Sequence, residues 1–398
     1  MIMAKKKILY VHHVSTIGGA SFCLLNLIKA LDRSRYEPYV LLRNEGPLAE
    51  ALRSLSVEVF FMPQLCAIPY NKSLYNWRTV IGYYNVYKCC KLFGEFLNKH
   101  YFDLVYLNNM MLYPYLKEIR TNSIIHIREH WPLNEHHNQL AKAQQYVKNY
   151  ANRIVAINHY SALLFSECKE KTDIVYDWID MSSRHGNISF NEIFGEDVSE
   201  KKVYLFTGGS NWTKGPKTVI GTFVNELKGD DKRLLVLGIK PASQQSTIKK
   251  YLKNVLEKLG RKNNHKEIAS LLQSDPRIKC MPGIYEIADI MKQAYCNLSF
   301  FAIPHANLAM AESIIMGTPC IAALTPESIE YSKNGRLAFL YELGNKEAFL
   351  NAIKDLDTQY EEFKVRLRNE SDYVAKMFDA SKNIANMNKV LSTIFNTL

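Results

Sequence analysis

The segment Gly208-Gly209-Ser210-Asn211-Trp212-Thr213-Lys214-Gly215 places a lysine in a glycine-rich loop that enters a helix, where an ammonium could neutralise a diphosphate as a point charge. It is not a Walker A loop, which needs G-x-x-x-x-G-K-[ST], because Lys214 is followed by Gly215 and Pro216. A solvated surface lysine accounts for the same residue. Further on, Glu312 is the single acid of a small-residue helix, apolar on both sides. A half-buried carboxylate there needs a polar partner such as a pair of ribose hydroxyls, whereas on a solvated face it needs none. Gly18-Gly19 sits where a first strand turns into a first helix, so the backbone can come close to a phosphate beside unpaired helix N–H groups. Simple turn chemistry explains that pair equally, and it is not the G-x-G-x-x-G fingerprint. His126-Ile127-Arg128-Glu129-His130-Trp131 brings imidazole, guanidinium and carboxylate together after a buried strand. His12, His13, His136 and His137 show no H-E-x-x-H or comparable metal spacing and read as hydrogen-bonded or surface imidazoles.

These residues fall at the ends of regularly alternating elements. Ile8 to Val11 is a short apolar run, followed by the glycines and then Phe22, Leu24, Leu25, Leu27, Ile28 and Leu31 at helical spacing. Tyr39 to Leu42, Val57 to Met62, Leu104 to Leu107, Ser123 to Ile127 and Ile154 to Ile157 read as further strands, with a helix over Pro47 to Leu55. Repeated β-α-β units predict a parallel sheet covered by helices on both faces. After the polar stretch Ser182 to Lys202 the same grammar restarts with Val203 to Phe206, the Gly208-Gly209 turn and a helix over Pro216 to Leu227. Leu234 to Leu237, Arg277 to Met281, Cys296 to Phe300 and Pro319 to Ala323 are its further strands. Lys240 to Ser274 is a polar, helix-biased elaboration, and Tyr360 to Leu398 is helical in propensity.

Composition bounds the partners. With 398 residues, 47% of them hydrophobic, two cores are expected rather than one. Lys and Arg exceed Asp and Glu by 50 to 39, for a formal charge of +11, which favours anionic partners. The surplus is spread without a Lys/Arg tract or RGG run, which argues against nucleic acid. Eight cysteines form no C-x-x-C pair, and Lys5-Lys6-Lys7 precedes an apolar run far shorter than a signal segment, so a reducing cytoplasm is expected. No stretch reaches the roughly 18 apolar residues of a membrane span. Tyr75 to Leu97, however, interleaves Trp77, Tyr83, Tyr84, Tyr87, Phe93 and Phe96 with Arg78, Lys88 and Lys91, the makeup of a helix that can dip into an anionic leaflet. Core packing accounts for the same aromatics.

Taken together, Gly18-Gly19-Ala20, Val175-Tyr176-Asp177-Trp178-Ile179-Asp180, Lys214-Gly215, the run Glu312 to Ala322, and Pro326-Glu327-Ser328-Ile329-Glu330 with Asn334-Gly335 occur in an order that resembles the retaining glycosyltransferases of the GT-B fold, family 4. The resemblance spans nearly the whole chain. It implies an α/β fold of two Rossmann-like domains facing across a cleft, an acceptor domain over 1–182, a nucleotide-sugar donor domain over 183–375, and a helix over 376–398 packing back toward the first domain. It further implies that a UDP- or GDP-sugar is the donor and that a hydroxyl of a glycan or lipid-linked saccharide is the acceptor. Retention, cell-surface polysaccharide synthesis, and no metal or other cofactor belong to the same expectation. Glu312 would hold the ribose and Lys214 the diphosphate. Backbone amides at Asn307, Leu308 and Ala309 would cradle phosphate, beside His305 and Gly208-Gly209, while Gly18-Gly19 approach from the other domain. His130, or the pair Arg128-Glu129, would serve the reacting sugar. The protein would be cytoplasmic, or peripheral on the inner face of the plasma membrane.

Three positions depart from the family pattern. Its first Glu is Pro304 here, the Arg five residues before the Lys is Gly209, and the Gly-Gly before the P-E segment is Ala323-Leu324. Either His305 and Asn307 substitute in contacting the sugar, or the donor differs, or activity is lost. The rivals are thus a noncatalytic nucleotide- or glycan-binding partner of an active transferase, and a nucleotide-sugar 2-epimerase.

Overall fold

A computed structural model describes residues 4–69, 77–131, 137–239, 264–304 and 306–396. The chain divides into two compact units, Met1–Trp178 with Phe378–Leu398, and Ile179–Met377.

The first unit holds a seven-stranded sheet: β1 (Lys6–Val11), β2 (Tyr36–Leu42), β3 (Glu58–Phe61), β4 (Leu104–Leu107), β5 (Asn122–Ile127), β6 (Arg153–Ala156) and β7 (Thr172–Ile174), in the order β3-β2-β1-β4-β5-β6-β7. All pairs are parallel, with Leu9 opposite Tyr39 on one side and Val105 on the other. The alternation of a strand explains why both faces are covered. Ile8 and Tyr10 enter one core with Leu24, Leu27 and Ile28, while Leu9 and Val11 enter another with Val86, Phe93 and Trp131. The C-terminal helix Ala380–Asn396 completes the first of these cores with Met387, Val390, Leu391 and Ile394. Asn383 anchors it by accepting a hydrogen bond from the Tyr176 amide at 3.1 Å. Between β4 and β5 the apolar segment Met110–Glu118 forms a 3-10 helix. Its start is capped by Asn109, whose side chain accepts from the Met111 amide at 2.7 Å. Pro114 within it conceals any helical signal in the sequence.

The second unit contains β8 (Lys202–Phe206), β9 (Lys232–Leu237), β10 (Ile278–Met281), β11 (Cys296–Ser299), β12 (Cys320–Ala323) and β13 (Phe339–Tyr341), again parallel, in the order β10-β9-β8-β11-β12-β13. The sequence pattern did not expect β13, whose three residues are too few to show a period. Val203, Leu205, Leu235 and Leu237 pack against Ile287, Ile290 and Met291. The helical tail begins earlier than its propensity suggests, as Lys346–Glu370, then Asp372–Met377, before the C-terminal helix joins the first unit. Most of the elaboration over 240–274 lies outside the described residues, and Asn264–Ser274 is helical.

Each sheet has one point where the strand order reverses, between β1 and β4 and between β8 and β11. In open α/β sheets the loops leaving the carboxyl ends of strands at such a point diverge and leave a crevice for ligands.

Candidate functional site

The loop leaving β8 is built around backbone that only glycine adopts easily. Gly209 has φ +64° and donates its N–H to the Leu237 carbonyl at 3.2 Å, and a Cβ there would meet the Gly238 oxygen at 3.4 Å. Gly215, at φ +62°, ends the short 3-10 turn Trp212–Lys214 and starts the helix Pro216–Glu226; a Cβ on it would strike the Phe300 ring. Asn211 caps the turn by accepting from the Thr213 amide at 3.1 Å. Lys214 is thereby fixed at the carboxyl end of β8. Its Nζ lies 4.2 Å from the centroid of the Phe301 ring, which follows β11. It is half-buried, and no carboxylate lies within ion-pair distance of it among the described residues. Desolvation lowers its pKa to about 8. A lysine so placed gains when an anion arrives.

Across the same reversal, β11 leads into the helix Leu308–Ile315. Asn307 is its N-cap: the side chain accepts from the Met310 amide at 3.2 Å and donates to Ser299 Oγ at 2.9 Å. The buried Asn307 side chain is thus committed to the cap, and its contribution to a ligand is to aim the first turn, Leu308 and Ala309 included. Asn297, from β11, holds the underside of this helix through the Ala309 carbonyl at 3.2 Å and Ser313 Oγ at 2.7 Å. His305 lies outside the described residues.

Glu312 projects from the helix at low exposure. Burial pushes its carboxyl above the ordinary range, and the Arg184 guanidinium, which donates to Oε1, opposes that rise. Arg184 is itself held by the Tyr285 carbonyl, 3.0 Å from Nε, with its guanidinium over the Tyr285 ring at 5.3 Å. Sequence reasoning missed Arg184. It lies 128 residues from Glu312, in a polar stretch read as a connection, and nothing local distinguishes it.

In the first unit, the reversal between β1 and β4 gathers a second polar set. His12, at the end of the β1 run, is 3.0 Å from Ser21 Oγ through Nε2 and 3.3 Å from Asn108 Nδ2 through Nδ1. Burial first, then the neighbouring His13 and Arg128, lowers its pKa to about 3, so it is a neutral structural imidazole. Asn108 also accepts from Arg128 Nε at 3.1 Å, and Arg128 Nη1 donates to both carboxylate oxygens of Asp177. Desolvation works against the Arg128 charge, and Asp177, with smaller help from Cys23 and Tyr106, more than restores it. Arg128 is therefore committed to a buried ion pair. Asp177 stood in a recognised segment of the sequence without a role.

Glu129 differs. Its Oε2 accepts from the amides of Met110 at 3.0 Å and Arg128 at 3.2 Å, yet burial outweighs both and raises its pKa to about 7. His130 is buried and stacks on Tyr160, centroids 4.7 Å apart and planes 15° from parallel. His126 is in the core, with Nδ1 2.6 Å from the Tyr106 hydroxyl. Gly18 and Gly19 are exposed at the head of the helix Gly19–Lys29. Gly18 is extended, at φ −145°, and a Cβ on either would meet nothing within 4 Å. Neither glycine is demanded by its own fold.

A polar groove of 740 Å³ lined by Lys202, Tyr295, Asp357 and Tyr360 is at the opposite, amino end of β8. Its groups satisfy one another: Asp357 Oδ1 takes Lys202 Nζ at 2.9 Å and the Tyr295 hydroxyl at 2.5 Å. Among the described residues no three His, Cys, Asp or Glu side chains are grouped to hold a metal. None of their helices is long and apolar enough to cross a membrane.

No protein-family model and no curated protein sequence matches the chain. Solved structures do. HepE of Anabaena, solved with UDP and glucose and separately with UDP-glucose, superposes with a TM-score of 0.71 at 18% identity over 97% of this chain and 99% of that one. A glycosyltransferase of Rickettsia africae gives 0.69 at 16% identity, over 99% of each chain. Sucrose-phosphate synthase of Thermosynechococcus elongatus gives 0.68 at 12%, over 99% of this chain and 100% of that one. At such identities the likeness establishes the fold: two parallel-sheet α/β domains of the GT-B type.

Proposed function

We propose that this protein transfers a sugar from a nucleotide-diphosphate sugar, a UDP- or GDP-sugar, to a hydroxyl of a glycan or lipid-linked saccharide in cell-surface polysaccharide synthesis, with retention at the anomeric carbon. The observation that carries the donor half is Lys214, a half-buried ammonium at the strand-order reversal with no carboxylate partner among the described residues. The binding of UDP and of UDP-glucose by HepE, which shares the fold, agrees with it. Acceptor class, pathway and retention follow the sequence resemblance.

In this reaction the ribose hydroxyls donate to Glu312, and Lys214 faces the diphosphate together with the amides at the head of the helix Leu308–Ile315. As the bond to the anomeric carbon breaks, charge grows on the departing diphosphate. Fixed donors and a desolvated ammonium stabilise that charge more than the ground state, which is the catalytic lever. No divalent cation is invoked. In the acceptor domain Glu129, with its pKa near 7, exchanges a proton with the acceptor hydroxyl or stabilises the reacting sugar, while Arg128 and His130 hold its surroundings.

The test is thermal stabilisation by UDP, GDP, CMP and ADP. A ligand at a hundredfold excess over its Kd stabilises the native state by about 2.7 kcal/mol. One diphosphate is expected to raise Tm, and Glu312→Ala to abolish the rise. No rise with any nucleotide would sink the donor site.

A second possibility, a nucleotide-binding partner without turnover, has one observation in its favour. The left-handed Gly209 stands where the family carries a diphosphate-binding Arg, and a side chain there is strained. It predicts the same thermal shift but no transfer to any acceptor and no hydrolysis of the sugar nucleotide.

A further inference from the structure

The helix Trp77–Lys99 carries two apolar faces where folding uses one. At 100° per residue Val86, Cys89, Cys90 and Phe93 share a side, and all are buried against the first unit's core with Val105 and Leu107. On the opposite side Val80, Ile81 and Tyr84 are 59%, 47% and 66% exposed, and Trp77 is 66% exposed. Their spacing of i, i+3, i+4 and i+7 makes one continuous stripe. The same stripe runs on into Lys88 and Lys91, both exposed. The neighbouring helix His137–Tyr150, which has no acid in its sequence, adds Lys142, whose Nζ is 5.1 Å from the Tyr87 ring centroid; its Lys148 is instead paired with Glu167 at 3.0 Å.

Large apolar side chains grouped on an outer face mark a surface that leaves water in use, since isolated ones would be scattered. The adjoining lysines identify the occupant. Cores of protein interfaces are depleted in lysine, whereas an anionic leaflet rewards each basic residue near it and lets long stems lie along the acyl boundary. Trp and Tyr, part apolar and part hydrogen-bonding, belong at that boundary.

We propose that the outer face of this helix is a docking surface for an anionic lipid bilayer, with Trp77, Val80, Ile81 and Tyr84 entering the headgroup boundary and Lys88, Lys91 and Lys142 meeting lipid phosphates. The surface is independent of the transferase reading and stands or falls without it.

The experiment is flotation of the full chain with vesicles of phosphatidylglycerol mixed with phosphatidylcholine, and with phosphatidylcholine alone, at low and high salt. Co-flotation is expected on the anionic vesicles only, and weaker at high salt. Val80→Ser combined with Tyr84→Ser is expected to abolish it. Lys88→Gln with Lys91→Gln is expected to weaken it about tenfold and flatten the salt dependence. Both variants change only exposed positions, so each should melt with the wild type, which confirms folding. Absence of co-flotation at low salt, or undiminished flotation of the Val80/Tyr84 variant, overturns the proposal. So does a sedimentation profile in which the wild type is a dimer that this variant dissociates, because the face then belongs to a second copy.

Discussion

Two ionisable side chains in the second unit are held away from their ordinary behaviour by opposite means. Lys214 has lost water and, among the described residues, gained an aromatic face and no carboxylate, so its pKa falls to about 8. A diphosphate binds the ammonium form. Nucleotide affinity is therefore predicted to weaken as pH rises through about 8, with proton uptake on binding near that pH, measurable by titration calorimetry in buffers of different ionisation enthalpy. Lys214→Met should lose about tenfold to a hundredfold in affinity and flatten the profile. Glu312 is pushed up by burial and kept from rising further by Arg184. Arg184→Met removes that restraint, so the carboxyl holds its proton to higher pH and offers the ribose one acceptor fewer. Affinity of this variant is predicted to be low at acid pH and to recover as pH rises past the raised pKa. The wild type should show that rise only at lower pH, and Arg184→Lys should move it back toward the wild-type position. A purely structural Arg184 would lower affinity equally at every pH.

At the scale of elements, the two loops at the strand reversals use glycine for different reasons. The loop after β8 needs it: Gly209 and Gly215 have positive φ and close neighbours. The loop after β1 does not, because Gly18 is extended and both Gly18 and Gly19 face open space. Gly19→Ala, at the head of a helix, is predicted to leave Tm unchanged or raise stability by up to about 1 kcal/mol. If the open space is where a phosphate approaches the backbone, the same substitution lowers transfer or nucleotide affinity. Loss of function with a preserved Tm is the outcome to look for; loss of Tm would make these glycines structural. The alternation of strand and helix, the glycine turns and the helix entry at Pro216 were legible because each rests on local periodicity or backbone preference. Met110–Glu118 and β13 were not, one hidden by Pro114 and the other too short to repeat.

For the whole molecule, the notable connection is the return of the C-terminal helix to the first unit. Met387, Val390, Leu391 and Ile394 finish one face of its sheet, so a segment read only as helical in propensity is part of a core some 380 residues upstream, around Ile8 and Tyr10. Leu391→Ala is predicted to destabilise by about 2 to 5 kcal/mol. Hydrogen exchange should quicken in β1 and β2 and stay unchanged in β8 and β9, because the lost contacts belong to the first unit alone. Equal quickening in both units would show that they unfold together.

The amino-acid sequence by itself determined two rounds of β-α-β, glycine turns after β1 and β8, and the candidate residues Lys214 and Glu129 beyond strand ends and Glu312 within a helix. These are consequences of period, turn chemistry and residue type over a few neighbours. Only the tertiary structure decided what those residues touch. Arg184 meets Glu312 across 128 positions, Arg128 meets Asp177 across 49, and Asn383 meets the Tyr176 amide across 207. Partnerships at such separations leave no periodic trace, since they depend on which loops the strand order brings together. The same physics settles charge: whether a lysine is a solvated cation or a desolvated one awaiting an anion depends on the ring and backbone that the fold sets around it.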